Sequence, residues 1–123
     1  MFAEHLPDSC PPTGARHPTG ELFYRVVKTN PPTDIDFYSQ YKKQPNRLFP
    51  DLCQAKALSI YQSVEECDTI RKATKEYRGG HIVSIRLTEE SGLIHNYNTS
   101  SSTHHSWWLY QIYNPIPQCQ YIR

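Results

Sequence analysis

The chain has 123 residues, with 13 Lys and Arg against 12 Asp and Glu and a formal net charge of +1. That length suits one domain with a single modest core, and the even charge balance leaves no electrostatic footprint for nucleic acid or an anionic membrane; small-molecule or protein partners are expected instead. Apolar runs such as Val26-Val27 and Ile82-Val83 are far shorter than the roughly 20 residues of a membrane span, so a soluble, cytoplasmic protein without a signal peptide is expected.

Residues 1–20 carry Pro7, Pro11, Pro12 and Pro18 with Gly14 and Gly20. Proline lacks the backbone N–H that helices and ladders use, so this segment is expected to be an extended, poorly ordered N-terminal arm ahead of a single domain over 21–123. His5 and His17 within it have no neighbouring ligand and read as solvated side chains.

ELFYRVVK opens the folded part. Leu22, Tyr24 and Val26 alternate with Phe23, Arg25 and Val27, the pattern of a strand half-buried on both faces. Arg25 is then a charge inside a sheet, where it requires a carboxylate, a backbone carbonyl or a ligand anion. Pro31-Pro32 end the strand, and Thr33 with Asp34 and Asp36 favours a helix from about Asp34 to Lys43.

Ala57 to Tyr61 reads as a second strand, followed by the clearest local signal in the chain. Ser63-Val64-Glu65-Glu66 has the form of a capping box, in which the serine hydroxyl and the Glu66 carboxylate each satisfy an orphan backbone N–H. Val64, Cys67, Ile70, Ala73 and Tyr77 then recur at helical spacing, which predicts a helix over 64–77 closed by Gly79-Gly80. Strands are expected near 81–88 and 106–112, a short one at LIHNYN, a loop from Thr99 to Thr103, and a last strand at QCQYIR. Helices concentrated early and strands late make an α+β single domain with a mixed or antiparallel sheet and about two helices.

Cysteines stand at 10, 53, 67 and 119, with no CxxC and no zinc spacing to histidine, so no metal site is expected. Four reduced thiols are the reading that goes with a cytoplasmic chain. Common catalytic signatures such as GxSxG, GxGxxG and HExxH are absent.

THHSWWL holds the strongest functional candidates. On a strand, His104 and His105 point to opposite faces and cannot share one metal. One of them is a candidate general acid or ribose contact, since imidazole titrates near neutral pH; the other reading is a hydrogen bond to a carbonyl at the mouth of an aromatic cluster built on Trp107 and Trp108.

YRVVKTNPPTDIDF, ALSIYQSVEECDTIRK, GGHIVSIRL and THHSWWL together resemble a family of small bacterial proteins that brings no settled activity. More distantly, the chain resembles the ADP-ribosyltransferase fold. There a first strand carries a His or Arg that holds the NAD ribose, a later strand ending in Ser or Tyr opens into a helix, and a further strand supplies a catalytic glutamate. The resemblance assigns Arg25 to the first motif and Tyr61 to the second and implies NAD as the ligand; beside it, the reading of THHSWWL keeps His104 and His105 as catalytic candidates and Trp107 as a ligand-binding one. The third motif is missing: no Asp or Glu occurs after Glu90. The resemblance therefore implies a nucleotide-binding domain with altered or lost catalysis. The alternative is a non-enzymatic interaction module that uses an aromatic patch of Trp107, Trp108 and Tyr110.

Overall fold

A computed structural model describes residues 1–96 and 100–123, so the expectations for Tyr97, Asn98 and Thr99 lie outside the described residues. The fold is α+β. Strands β1 (Leu22–Val27), β3 (His81–Arg86) and β6 (Gln120–Tyr121) form one antiparallel sheet in the order β1-β3-β6. Strands β2 (Leu58–Ile60), β5 (His105–Leu109) and β4 (Gly92–His95) form a second, in the order β2-β5-β4. The two are joined where Tyr24 and Tyr61 exchange backbone hydrogen bonds of 2.7 and 2.9 Å, which seats the end of β2 beside β1.

Alternation in β1 divides its side chains between two cores. Phe23 packs with Leu58, Ile60, Ile85, Ile94 and Trp107, while Val26 faces Cys67 and Ile82 under helix α3 (Val64–Ala73). The Ser63 hydroxyl accepts the Glu66 backbone N–H at 3.1 Å and starts α3 as the sequence predicts. The reciprocal half of the box differs: the Glu66 carboxylate accepts the Ser101 and Thr103 hydroxyls instead. The helix also stops earlier than expected. It ends at Ala73, and a 3-10 turn over Lys75–Tyr77 follows, which keeps Tyr77 against the Val26 core.

The expected helix over 34–43 is two short pieces, a 3-10 turn at Asp34–Phe37 and helix α1 at Gln40–Lys43, with a further short helix α2 at Leu52–Ala55. The break falls at Tyr38-Ser39, because the Ser39 hydroxyl caps α1 by accepting the Lys42 N–H and so starts a new helix there.

The N-terminal segment is extended but lies against its own chain. Arg16 and Ile94 exchange hydrogen bonds of 3.0 and 2.8 Å along the free edge of β4, and the Ala3 N–H donates to the Leu109 carbonyl at 2.8 Å. Prolines bar a continuous ladder, yet isolated bridges at the other residues suffice to cover a sheet edge. A disulfide between Cys10 and Cys53 fastens the segment to α2, so two of the four cysteines are not the free thiols expected; Cys67 and Cys119 are. Gly92, at φ +135°, opens β4 where a Cβ would lie 2.1 Å from the Trp108 carbonyl oxygen, a position that admits no side chain.

Candidate functional site

Arg25 emerges from β1 beneath the turn at Asp34–Phe37 and is 7% exposed. Its Nε and Nη2 donate to the Asp36 carbonyl at 3.1 and 2.9 Å, its Nη1 donates to the Ser59 carbonyl at 2.7 Å, and the guanidinium lies 5.5 Å from the Phe37 ring centre. The side chain therefore ties β1, the turn and β2 together. Burial draws its pKa down, opposed by Tyr77 and Asp36. The Asp36 carboxylate turns the other way, accepting from the Lys28 N–H, the Thr29 hydroxyl and the Thr33 N–H.

The register of β2 against β5 sorts the remaining candidates. Ile60 pairs with His105 and Leu58 with Trp107, so those four share the inner face. His105 stacks edge-on against Phe23 at 5.1 Å, and its Nδ1 donates to the Thr103 carbonyl at 3.0 Å, the backbone-bonded role that the sequence left open for one of the pair. Trp107 is fully buried, with Nε1 donating to the Ser91 carbonyl, and Trp108 is 1% exposed with Nε1 donating to the Cys53 carbonyl. Buried indoles whose N–H groups are satisfied inside the fold are core, so the expected surface patch of Trp107 and Trp108 does not form.

His104 lies on the opposite face, as strand alternation requires. Its Nε2 is 3.0 Å from the Ser59 hydroxyl, and its ring centre is 5.1 Å from that of Tyr61. Burial lowers the His104 pKa and the neighbouring His105 adds to the effect, while Glu66 acts in the opposite direction. The Nδ1 of His104 is buried with no hydrogen-bond partner among the described residues. Placing the proton on Nε2 leaves a bare lone pair at Nδ1, whereas the other tautomer buries an unpaired N–H; the first is favoured, with His104 donating to Ser59. Tyr61 is held protonated, its phenol pushed up to about 12 by burial and by Cys67 and Glu66.

Arg25, Tyr61 and His104 thus come together around Ser59, Arg25 through its carbonyl and His104 through its hydroxyl. Two members of this cluster went unrecognised in the sequence. Ser59 sits at the outward position of Leu58-Ser59-Ile60, a signal present in strand alternation alone. Glu66 brings a carboxylate toward His104 and Tyr61, but in the sequence its chemistry is claimed by the capping box.

A cavity of about 350 Å³ lies elsewhere, between the N-terminal segment, the turn at Asp34–Phe37, and residues 108–116. Arg25, Tyr61, His104, His105 and Trp107 do not line it. No known protein family, curated protein or solved structure matches the chain.

Proposed function

We propose that this chain is an ADP-ribosyltransferase-like domain that binds an NAD-like nucleotide at the Arg25, Tyr61 and His104 cluster, with transfer chemistry altered or lost. The observation that carries this reading is the Tyr24–Tyr61 bridge. It sets β1, β2 and β5 side by side, so a strand-borne arginine, a tyrosine opening into a helix, and the start of a third strand meet in one place.

The chemistry fits binding better than transfer. Tyr61 offers an aromatic ring for a flat base, while the Ser59 hydroxyl, accepting from His104, keeps its own O–H to donate to a ribose oxygen. Arg25 acts from below by fixing the Ser59 backbone. A ribosyl cation needs a carboxylate beside it, and β5 has none; Glu66 approaches from α3 with one oxygen already taken by two hydroxyls. His104 is engaged as a donor toward Ser59 through Nε2, and its one basic lone pair, on Nδ1, is buried.

No helix of the described residues is long and apolar enough to cross a membrane. The Cys10–Cys53 disulfide supports an oxidising compartment over the cytoplasm.

Thermal-shift titration with NAD, ADP-ribose and nicotinamide tests the proposal. A ligand at a hundred times its dissociation constant stabilises the fold by about 2.7 kcal/mol. Tyr61→Ala and His104→Gln should each reduce that shift; Arg25→Ala is the wrong probe, because it removes a structural clamp. No shift with any of the three ligands, or an undiminished shift in both variants, would rule the nucleotide site out.

A further inference from the structure

We infer that the 350 Å³ cavity is a binding site for a small apolar carboxylic acid, closed on one side by the disulfide-fastened N-terminal segment. Its walls come from two sources. Phe37, Leu58, Trp108 and Ile116 belong to the body of the domain, and Phe2 and Leu6 to the segment before Cys10. A cavity of this size, whose wall is shared about equally between apolar and polar groups, suits a small ligand with an apolar body and a polar end.

Polar groups at the wall decide the other end of that ligand. Lys56 is half-buried, and its ammonium is held by the His5 carbonyl at 2.5 Å and by the Tyr41 ring at 4.4 Å from the centroid. It makes no ion pair among the described residues, so a fixed positive charge borders the cavity with donor capacity to spare. Lys42, over the Tyr38 ring at 4.1 Å, adds a second positive charge. Glu4 and Asp34 also border the space, but no hydrogen bond or ion pair fixes either carboxylate among the described residues, and Asp34 is exposed. A preorganised charge recognises a ligand at less cost than a mobile one, and here the preorganised charge is positive.

The segment's hold on the body is what fixes that wall of the cavity. The Ala3 N–H bonds the Leu109 carbonyl, the Gln111 N–H bonds the Met1 carbonyl, and Cys10 is covalently joined to Cys53, three residues before Lys56. The wall residues Phe2, Ala3, Glu4 and Leu6 lie along this fastened stretch.

Calorimetric titration of the oxidised full chain with naphthoate, and in parallel with its neutral amide naphthamide, tests this site. The expected result is saturable binding of one naphthoate per chain, with naphthamide about tenfold or more weaker, as follows from losing a hydrogen bond to a charged group. Lys56→Gln should remove the preference for the acid, and Ile116→Trp, which builds bulk into the cavity from a half-buried wall position of the body, should abolish binding of both. Absence of saturable naphthoate binding overturns the inference, as do equal affinities for acid and amide in the unmodified protein, a comparison that depends on no variant folding. Binding that survives Ile116→Trp places the ligand elsewhere and overturns it equally.

Discussion

Arg25 and Asp36 are neighbours of opposite charge that do not pair through their side chains: the guanidinium takes the Asp36 carbonyl, and the carboxylate faces Lys28, Thr29 and Thr33. The residue at the centre of the turn thus serves two partners with two different groups. Its carbonyl anchors the turn to β1, and its side chain closes the loop after β1 over the 3-10 helix. Neither charge is left without hydrogen bonds, which is what burial demands of each.

Removing the guanidinium strips donors from the Asp36 and Ser59 carbonyls together. A buried acceptor and a part-buried one left unmade cost about 2 kcal/mol, so Arg25→Met should lower the urea midpoint clearly. Arg25→Lys should recover only part of the loss, because one ammonium cannot reproduce the fork that spans the turn and β2. A lysine variant as stable as the parent would show that the fork geometry is unimportant.

Asp36 makes stability depend on acid pH. Burial alone would raise its pKa, but the hydrogen bonds from Thr29, Thr33 and Lys28 outweigh that and hold the carboxyl below its usual range. A folded-state pKa below the unfolded value contributes stability that is complete above the unfolded value, about 3.9, and is lost as pH falls through the folded one. Asp36→Asn should therefore be less stable near neutrality and show a shallower loss below about pH 4. An unchanged acid limb in chemical denaturation curves would assign that limb to other carboxylates.

The elements that were legible in the sequence are those whose causes are local. Alternation in LFYRVV and HIVSIR, and the serine cap of α3, each act within a few residues, and β1, β3 and α3 form accordingly. The demand that Arg25 find a partner was also legible, but its identity was not, because carbonyls of Asp36 and Ser59 reach it only after the turn and β2 are in place. The same holds for Glu66, drawn from its own helix terminus by hydroxyls 35 and 37 positions away. Strand alternation did place the two histidines on opposite faces, yet which of them meets Ser59 depends on the pairing of β2 with β5. The Cys10–Cys53 pairing, across a separation of 43, belongs to the same class of long-range facts.

That disulfide gives the N-terminal segment its measurable signature. Closing a loop of 43 positions removes enough unfolded-state entropy to add roughly 4 kcal/mol on the chain-entropy account, so reduction should lower the melting temperature substantially. Amide exchange adds a local test. The N–H groups of Ala3, Arg16 and Gly20 are bonded to Leu109, Ile94 and Leu87, and should be protected in the oxidised protein. Rapid exchange at all three would mean that the segment is held by the covalent link alone.

His104 offers the most direct probe of the candidate cluster, because its titration can be followed by NMR without any ligand. Burial and the neighbouring His105 hold its pKa below the ordinary value, and Glu66 pulls the other way. Replacing that carboxylate by Glu66→Gln should therefore lower the His104 pKa further. In the unfolded chain the ring takes a proton near 6.5, while in the fold it remains neutral to lower pH. The unfolded state then binds more protons between those two values, so His104 removes stability as pH falls from about 6.5 to its folded pKa and has no effect above that window. His104→Gln keeps a donor toward Ser59 but cannot be protonated, and should abolish this part of the pH dependence. Should the ring titrate at or above 6.5, it would be exposed or paired with Glu66, and the neutral donor assigned to it beside Ser59 would have to be given up.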